Sequence, residues 1–577
     1  MRYILITILT VIIHLAAMAA EPMPRADYIY PVRGVGRVYS ANFGEMRPNH
    51  FHSGIDIKTD GVTGKKVVAI ADGYISRVVV QPSGYGRAIY ITHFDGTTSV
   101  YGHLDTFRDD IEEYVRRERV SRRSNRVELF FDSRQWRVAQ GDLIGFSGNT
   151  GQSFGPHLHF EIRESASQRT INLFRCGYIT PDDDTPPLIS RLHYIEVDTL
   201  HGVPIRAERK TFMAEGDSGS YRIADTIDVG RSGFFELETS DRKNGVKNTF
   251  GVYRVECRVH GEPIFEYRMD GFTFDRSKYC NAVASYDLQL DSSYEVIRLA
   301  RIDGNLTQFY TLLKDDGVVR GEAGRIYNLS VVAEDDMGNC STLEFVARGT
   351  NAEQWFVAQD SLATSEIINR NREFSHRDSL VSLTIPAGAL YESAFYRAEN
   401  GVSQPKMDTS LVVLSPCCSI MESKVPLHKS ATLYINCDVP QHLQSKALLA
   451  RVNHRGRVVS AAGRYADGRV GGKISTFGDY MVVADVTPPT IKPRFREGAD
   501  LSNDDSVSFT VGDNFSGIAS YEGTIDGKWV IFEYMPVAGR LIHYFRDSDL
   551  SKGRHIARMR VCDGRGNESV VERVFYR

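Results

Sequence analysis

His52-Ser53-Gly54-Ile55-Asp56 and, far downstream, His157-Leu158-His159 supply the side chains around which this chain must fold. The flanks of the first stretch, Pro48, Ser53, Gly54 and the alternating Ile55 and Ile57, predict strand and turn rather than helix. On a straight strand, residues four apart share a face but lie roughly 13 Å from each other, too far for ligands bound at about 2 Å to share an ion. The backbone therefore has to bend between His52 and Asp56, and Gly54 tolerates the unusual angles such a bend needs. His157 and His159 have the opposite property. Two apart on a strand, with Cα atoms roughly 6.6 Å apart, they point to one face, so both can enter one cleft while only one need touch a metal.

Two imidazoles and one carboxylate with an open fourth position are the arrangement of a catalytic zinc, whereas structural zinc is usually closed by four ligands, often thiolates. No cysteine lies near these histidines, and the expected cofactor is one Zn2+ ion. Such a centre polarises a carbonyl and acidifies bound water. The chain lacks a His-Glu-x-x-His helix, in which glutamate is the general base, so a histidine has to serve. Tyr101-Gly102-His103-Leu104, closing the strand-like run from Ala88, offers His103 beside His157, and both have an ordinary pKa near the pH of use. Of sixteen histidines, six fall between His50 and His159, and four of these carry the glycine-punctuated spacing. His50 and His93 are read as bystanders.

These stretches closely resemble the lysostaphin-type, or LytM and beta-lytic, zinc metalloendopeptidases that cut peptide cross-links in bacterial cell walls. The likeness starts at Asn42-Phe43-Gly44 and His52-x-Gly54-x-Asp56, and continues through Val67-Val68-Ala69-Ile70-Ala71-Asp72-Gly73, Gly84-Tyr85-Gly86 and Tyr101-Gly102-His103-Leu104. It ends at Gly141-Asp142-Leu143-Ile144-Gly145, Gly148-Asn149-Thr150-Gly151 and Gly155-Pro156-His157-Leu158-His159-Phe160-Glu161. The resemblance implies that His52, Asp56 and His159 bind zinc, and that His103 and His157 act on the attacking water and the tetrahedral intermediate. It implies a mostly antiparallel sheet with a narrow groove over about residues 30–180. All five positions are filled, which argues against the branch of the family that has lost its metal and only activates amidases.

The chain departs from that pattern between about 106 and 137, where it inserts a segment that begins as a helix. Phe107, Ile111, Tyr114 and Val115 recur at helical spacing, with Asp109, Asp110, Glu112 and Glu113 first and Arg116, Arg117 and Arg119 later, the order a helix dipole favours. Arg122, Arg123 and Arg126 extend the basic run; it is either a solvated helix face or, beside His103, a lid or a basic rim contacting anionic wall polymer. At the N-terminus, Arg2, the apolar Ile4 to Leu15 and the small residues Ala17-Met18-Ala19-Ala20 predict a signal peptide over 1–20. No later segment is long enough to span a membrane, so the mature protein is expected in the periplasm or associated with the cell envelope. A formal charge of −4 with 25% charged residues is ordinary for a soluble protein, and nucleic acid is not an expected partner. Eight cysteines are too few for a disulfide scaffold, and no pairing is assigned.

The peptidase-like domain is expected over 21–182. Beyond it a frame repeats: Asp183-x-Thr185-Pro186-Pro187-x-Ile189 returns as Asp485-x-Thr487-Pro488-Pro489-x-Ile491, and Asp335-x-x-Gly338-Asn339 returns as Asp563-x-x-Gly566-Asn567. Each opener is a proline-stiffened entry into a strand and each closer a turn before a final strand, so two sandwiches are predicted, at 183–349 with an insertion and at 485–577. They resemble immunoglobulin-like modules of secreted bacterial proteins. A helical or loose connector is expected at 350–380 and a further β-rich domain at 381–484. Asp513-Asn514-Phe515-Ser516-Gly517 reads as a plain turn, with too few oxygen ligands following for a calcium loop. The expected molecule is mainly β: an exported zinc endopeptidase of peptidoglycan cross-links, favouring the direct D-alanyl to diamino-acid link over glycine bridges. A wall-binding or amidase-regulating protein without turnover, or a structural adhesin, is the alternative. An envelope protein is a possible partner through the sandwiches.

Overall fold

The computed structural model describes residues 27–577 apart from 291, 293, 351–365, 403, 404 and 462. The signal-peptide reading of 1–20 and the Glu353-Gln354-Trp355-Phe356 part of the connector reading lie outside the described residues. Four β-rich units follow one another along the chain.

The first is built on an antiparallel sheet whose strands run in the order Tyr39–Ala41, Ile55–Lys58, His157–Glu164, Thr97–Gly102, Arg87–His93, Gly73–Val80 and Val127–Phe130. A smaller sheet of Lys66–Val68, Leu143–Ser147 and Leu104–Phe107 covers one face. Ile55, Ile57, Ile89, Ile91, Tyr101, Leu158, Phe160 and Ile162 form the core between them. Because side chains alternate along a strand, burying Leu158, Phe160 and Ile162 sends His157, His159, Glu161 and Arg163 to the opposite face. The register then sets Asp56 beside His159, and Gly102 on its other side.

The inserted segment forms the helix Asp109–Ser121, with Asp109, Asp110 and Glu112 in its first turn and Arg119 in its last. It buries Ile111 and Val115 against the first unit. Arg119 is buried too, and it meets the far end of the chain: it and Arg87 both pair with Glu533, at 2.6 and 2.9 Å. The Arg119 side of the helix is thus a docking surface for the last unit, while Arg117, Arg122, Arg123 and Arg126 are exposed, as on a solvated face.

The second unit packs a sheet containing Leu188–Leu200, Gly233–Ser240 and Glu295–Arg298 on one containing Arg254–Val259, Ile326–Glu334 and Cys340–Gly349. The last does the same with sheets built on Ser506–Gly512 and on Arg554–Asp563. The repeated frame has one structural meaning in both. The closing asparagine donates to the carbonyl of the opening aspartate, Asn339 to Asp183 at 3.2 Å and Asn567 to Asp485 at 2.9 Å. The closing aspartates Asp335 and Asp563 each accept the amide of that asparagine in a tight turn. Between the two units lies a third pair of sheets, built on Pro426–Asn436 and Gly478–Asp485. Its first sheet takes in Phe374–Arg377, so from residue 366 the expected connector belongs to this unit instead: strand pairing to Val381–Ile385 overrides the polar composition. None of the eight cysteines is in a disulfide, and Cys417 and Cys418 are both buried in one strand. No described helix is long and apolar enough to cross a membrane.

Candidate metal centre and catalytic cleft

Strand pairing and one bend bring three ligand atoms together. His52 Nε2 lies 3.1 Å from Asp56 Oδ1 and 3.1 Å from His159 Nδ1, and His159 Nδ1 lies 2.8 Å from Asp56 Oδ1. Ligands about 2.05 Å from one tetrahedral zinc stand roughly 3.3 Å apart, so this trio fits one ion with a few tenths of an ångström of expansion. The chain bends at Ser53 and Gly54 as expected, but Gly54 does not adopt a left-handed backbone. Its reason is space: a Cβ there would stand 2.3 Å from the Phe160 carbonyl oxygen. Close approach of two strands, rather than a strained angle, requires the glycine.

The hydrogen bonds behind each ligand fix its tautomer, because a carbonyl can only accept. His52 donates from Nδ1 to the Asn42 carbonyl at 2.7 Å, leaving the Nε2 lone pair for the metal side. His159 uses its ring the other way round, with Nδ1 in the cluster and Nε2 2.8 Å from Glu161 Oε1. Asp56 Oδ2 accepts from Arg47 at 3.3 Å, which leaves Oδ1 free. Glu161 is fully buried and also accepts from Ser53 at 2.6 Å, Tyr85 at 2.5 Å and Arg163 at 2.6 Å.

Charge follows that wiring. Burial lowers His52 to about 4 and keeps it neutral, as a ligand must be. Burial alone would lower His159 as well, but its hydrogen bonds to Asp56 and Glu161 lift it to about 9. Asp56 is held well below the ordinary carboxylate range: burial opposes ionisation, and His52 and His159 outweigh it. A cation is thus favoured at this point, whether a proton or a metal.

His103 and His157 face the cluster from the other side, their rings 4.7 Å apart. His103 donates from Nδ1 to the Thr150 carbonyl at 2.7 Å, and His157 from Nδ1 to the Gly155 carbonyl at 2.8 Å. Both therefore turn an Nε2 lone pair toward the cleft; that of His157 is 3.6 Å from Asp56 Oδ1. His103 takes a φ of 59°, a left-handed conformation that costs about 1–3 kcal/mol in a residue with a side chain and recurs at functional sites. Burial, with His157 and His159 nearby, lowers its pKa to about 3. The two histidines read as bystanders stay outside: His93 is a buried residue bound to Asp72 and Ser99, and exposed His50 sits on the rim.

The cleft over the cluster has a volume of about 1090 Å³ and is lined by Arg47, Tyr85, Phe154 and Lys58 of the first unit and by Asn248 and Phe274 of the second. Sequence reasoning assigned no role to Asn42, Arg47, Tyr85, Glu161 or Arg163. Period-two spacing from His157 and His159 reaches Glu161 and Arg163, so these two were within its range. Two other groups of three carboxylates lie close together. Asp183, Asp241 and Asp335 surround Lys243, whose ammonium is 3.2 Å from both Asp183 and Asp241. In the Asp485, Asp513 and Asp563 group, each side chain accepts from backbone amides.

The model described as peptidase family M23 matches residues 50–120 and 129–172, and that described as a Zu5-like domain matches 365–485, the third unit. The DD-carboxypeptidase/endopeptidase Mpg of Neisseria meningitidis serogroup B (strain ATCC 13091 / M2091) is 35% identical over 112 residues, 19% of this chain and 20% of that protein. An uncharacterized metalloprotease of Haemophilus influenzae is 32% identical over 119 residues, 21% of this chain and 19% of that protein. The chain thus spans about a fifth of the length of these curated relatives. Among solved structures, the catalytic domain of the prophage-encoded M23 protein EnpA from Enterococcus faecalis is 26% identical, covering 23% of this chain and 85% of that one with a TM-score of 0.17. The catalytic domain of lysostaphin from Staphylococcus simulans is 25% identical, covering 22% and 80% with a TM-score of 0.16. The N-terminal region of this chain is therefore a peptidase family M23 domain of the LytM type.

Proposed function

We propose that the chain is an exported zinc metalloendopeptidase that hydrolyses peptide cross-links of peptidoglycan, with the D,D link as the bond cut. The observation that carries this reading is the junction of His52 Nε2, Asp56 Oδ1 and His159 Nδ1 at 2.8–3.1 Å beneath an open cleft, faced by two further histidines. A zinc ion held by these three atoms supplies a Lewis acid for the scissile carbonyl and lowers the pKa of water. His157, pinned through Nδ1, receives the proton of the attacking water at Nε2 and returns it to the leaving amine. His103, with its Nε2 lone pair turned into the cleft, accepts a hydrogen bond from the attacking water and orients it. Arg47 and Glu161 hold Asp56 and His159 in place throughout. Export rests on the reading of residues 1–20, and the periplasm or cell envelope is where the substrate lies.

Incubating the mature protein with intact peptidoglycan should release new amino termini from cross-linked peptides. Chelator, or His159→Ala, should reduce that release at least a hundredfold, with the activity restored to the wild type by added zinc. Hydrolysis undiminished by chelator would falsify the proposal, and a protein that binds the wall without cutting it would be a wall-binding or regulatory module instead.

A further inference from the structure

The segment that carries the first metal ligand belongs to two units at once. Phe43, Met46 and Phe51 leave the first unit's core and join that of the second, with Leu192, Phe235, Val283 and Phe309. The Phe51 ring packs edge-on against Phe309 at 5.3 Å, and the Phe43 ring lies 5.5 Å from Phe272. The backbone is tied down on both strands of the hairpin formed by Met46–Arg47 and His50–Phe51: Met46 N donates to Glu295 at 2.8 Å and Phe51 N to Ser277 Oγ at 2.9 Å.

His52 follows directly on Phe51, and its imidazole is oriented by the Asn42 carbonyl. Asn42 is itself 1% exposed and clamped wholly by the second unit. Its amide donates to the Gly251 carbonyl at 2.8 Å and to Asp336 Oδ2 at 2.7 Å, and its oxygen accepts from Gly251 N at 3.0 Å. The other imidazole ligand has a parallel connection. His159 rests on Glu161, Glu161 on Arg163, and the Arg163 guanidinium lies 4.5 Å over the Phe274 ring of the second unit.

We infer that the second unit is a working part of the metal centre: Asp336 and Gly251, acting through Asn42, are positioning groups for His52, and Phe274 is one for His159 through Arg163 and Glu161. This rests on the reading above that His52, Asp56 and His159 hold zinc. The β-sandwich beside the peptidase domain is then not a spacer, because both imidazole ligands take their orientation from groups whose own partners lie across the joint. Outer partners of metal ligands typically change affinity about 10–100-fold when lost.

The test is zinc affinity of the full chain, measured by competition with a chromogenic chelator alongside thermal unfolding. Asn42→Ala and Asp336→Ala should each weaken zinc binding about 10–100-fold, and the double variant no more than the stronger single one, because both break the same connection. Asn172→Ala is the control. Asn172 spans the same joint, donates to the Met269 carbonyl at 3.1 Å and to the other oxygen of Asp336 at 2.9 Å, and makes no hydrogen bond to Asn42. It should lower the unfolding midpoint and leave zinc affinity within twofold. Phe274→Ala, at a ring that is 45% exposed, should weaken zinc binding about threefold to tenfold, with its unfolding midpoint measured alongside. Wild-type affinity in Asn42→Ala overturns the inference, as does an equal loss in Asn172→Ala, which would make docking in general the cause. A wild-type chain that binds no zinc overturns the proposed function together with it.

Discussion

The peptidase domain is held by a sandwich on each of two sides, and the two joints are made of different physics. Toward the second unit the contact is a continuation of the core: aromatic rings of Phe43 and Phe51 among those of Phe272 and Phe309, with buried hydrogen bonds from Asn42, Met46 and Phe51. Toward the last unit it is ionic. Glu533 sits between Arg87 and Arg119, Arg87 also pairs with Glu112 of the inserted helix, and Phe532 N donates to Asn125 at 2.9 Å. Apolar burial does not depend on charge state and is hard to reverse without unfolding, whereas a joint resting on a single carboxylate can be released by removing one charge. The first joint carries the groups proposed to orient His52 and His159. The second reaches toward the site through Arg87, whose backbone N–H donates to Thr150 Oγ1 at 2.9 Å beside the carbonyl that holds His103.

The sharpest way to break this contrast is Phe51→Ala. Removing a fully buried aromatic from a shared core costs about 3–5 kcal/mol, and urea unfolding should show the first two units losing stability in one transition. Glu533→Gln tests the other joint. It leaves two buried guanidiniums without one of their carboxylates, at a cost of about 3 kcal/mol in docking. Small-angle scattering should show the last unit detached while zinc affinity is unchanged; a compact particle would show that the ionic contact does not hold the joint.

The smallest effect comes from pH, and the two joints should respond with opposite sign. Burial raises Glu533, but Arg119 and Arg87 outweigh it and depress the group from 4.5 to about 2. Its contribution is therefore present above pH 4.5 and is lost as pH falls toward 2. Glu295, which accepts from Met46 N at the other joint, is raised by burial from 4.5 to about 8. Its contribution is full below pH 4.5 and is lost as pH rises through about 8. Hydrogen exchange at Phe532 and at Met46 across that range should show these two opposite trends. Parallel trends would mean that neither carboxyl governs its joint.

Much of the centre was legible beforehand because it is local. His157 and His159 share a strand face by period, and His52 and Asp56 share a bend at Gly54, though the nearby Phe160 carbonyl and not a backbone angle requires that glycine. The Asp-x-Thr-Pro-Pro openers and Asp-x-x-Gly-Asn closers were equally readable, since each closer is a turn whose asparagine has one geometry available. Other features were not. The inserted helix was legible as a helix, but a row of arginines reads alike whether it faces water or a carboxylate some four hundred residues further on, as Arg119 faces Glu533. The stretch near Phe374–Arg377 looked loose because its polar residues alternate at a sheet edge, where pairing rather than composition makes the strand.

By itself, the sequence determined which atoms could meet a metal, because ligand chemistry and strand period are properties of residue type and near spacing. Only the tertiary structure decided what stands behind those atoms. Asn42 in the sequence is an ordinary polar residue, and it becomes the support of His52 because Gly251 and Asp336 arrive from another unit to pair both hydrogens and the oxygen of its side-chain amide. Partners that distant in the chain leave no periodic trace; burial of the shared apolar core brings them together, and once it has done so an amide left unpaired there would cost about 1–3 kcal/mol.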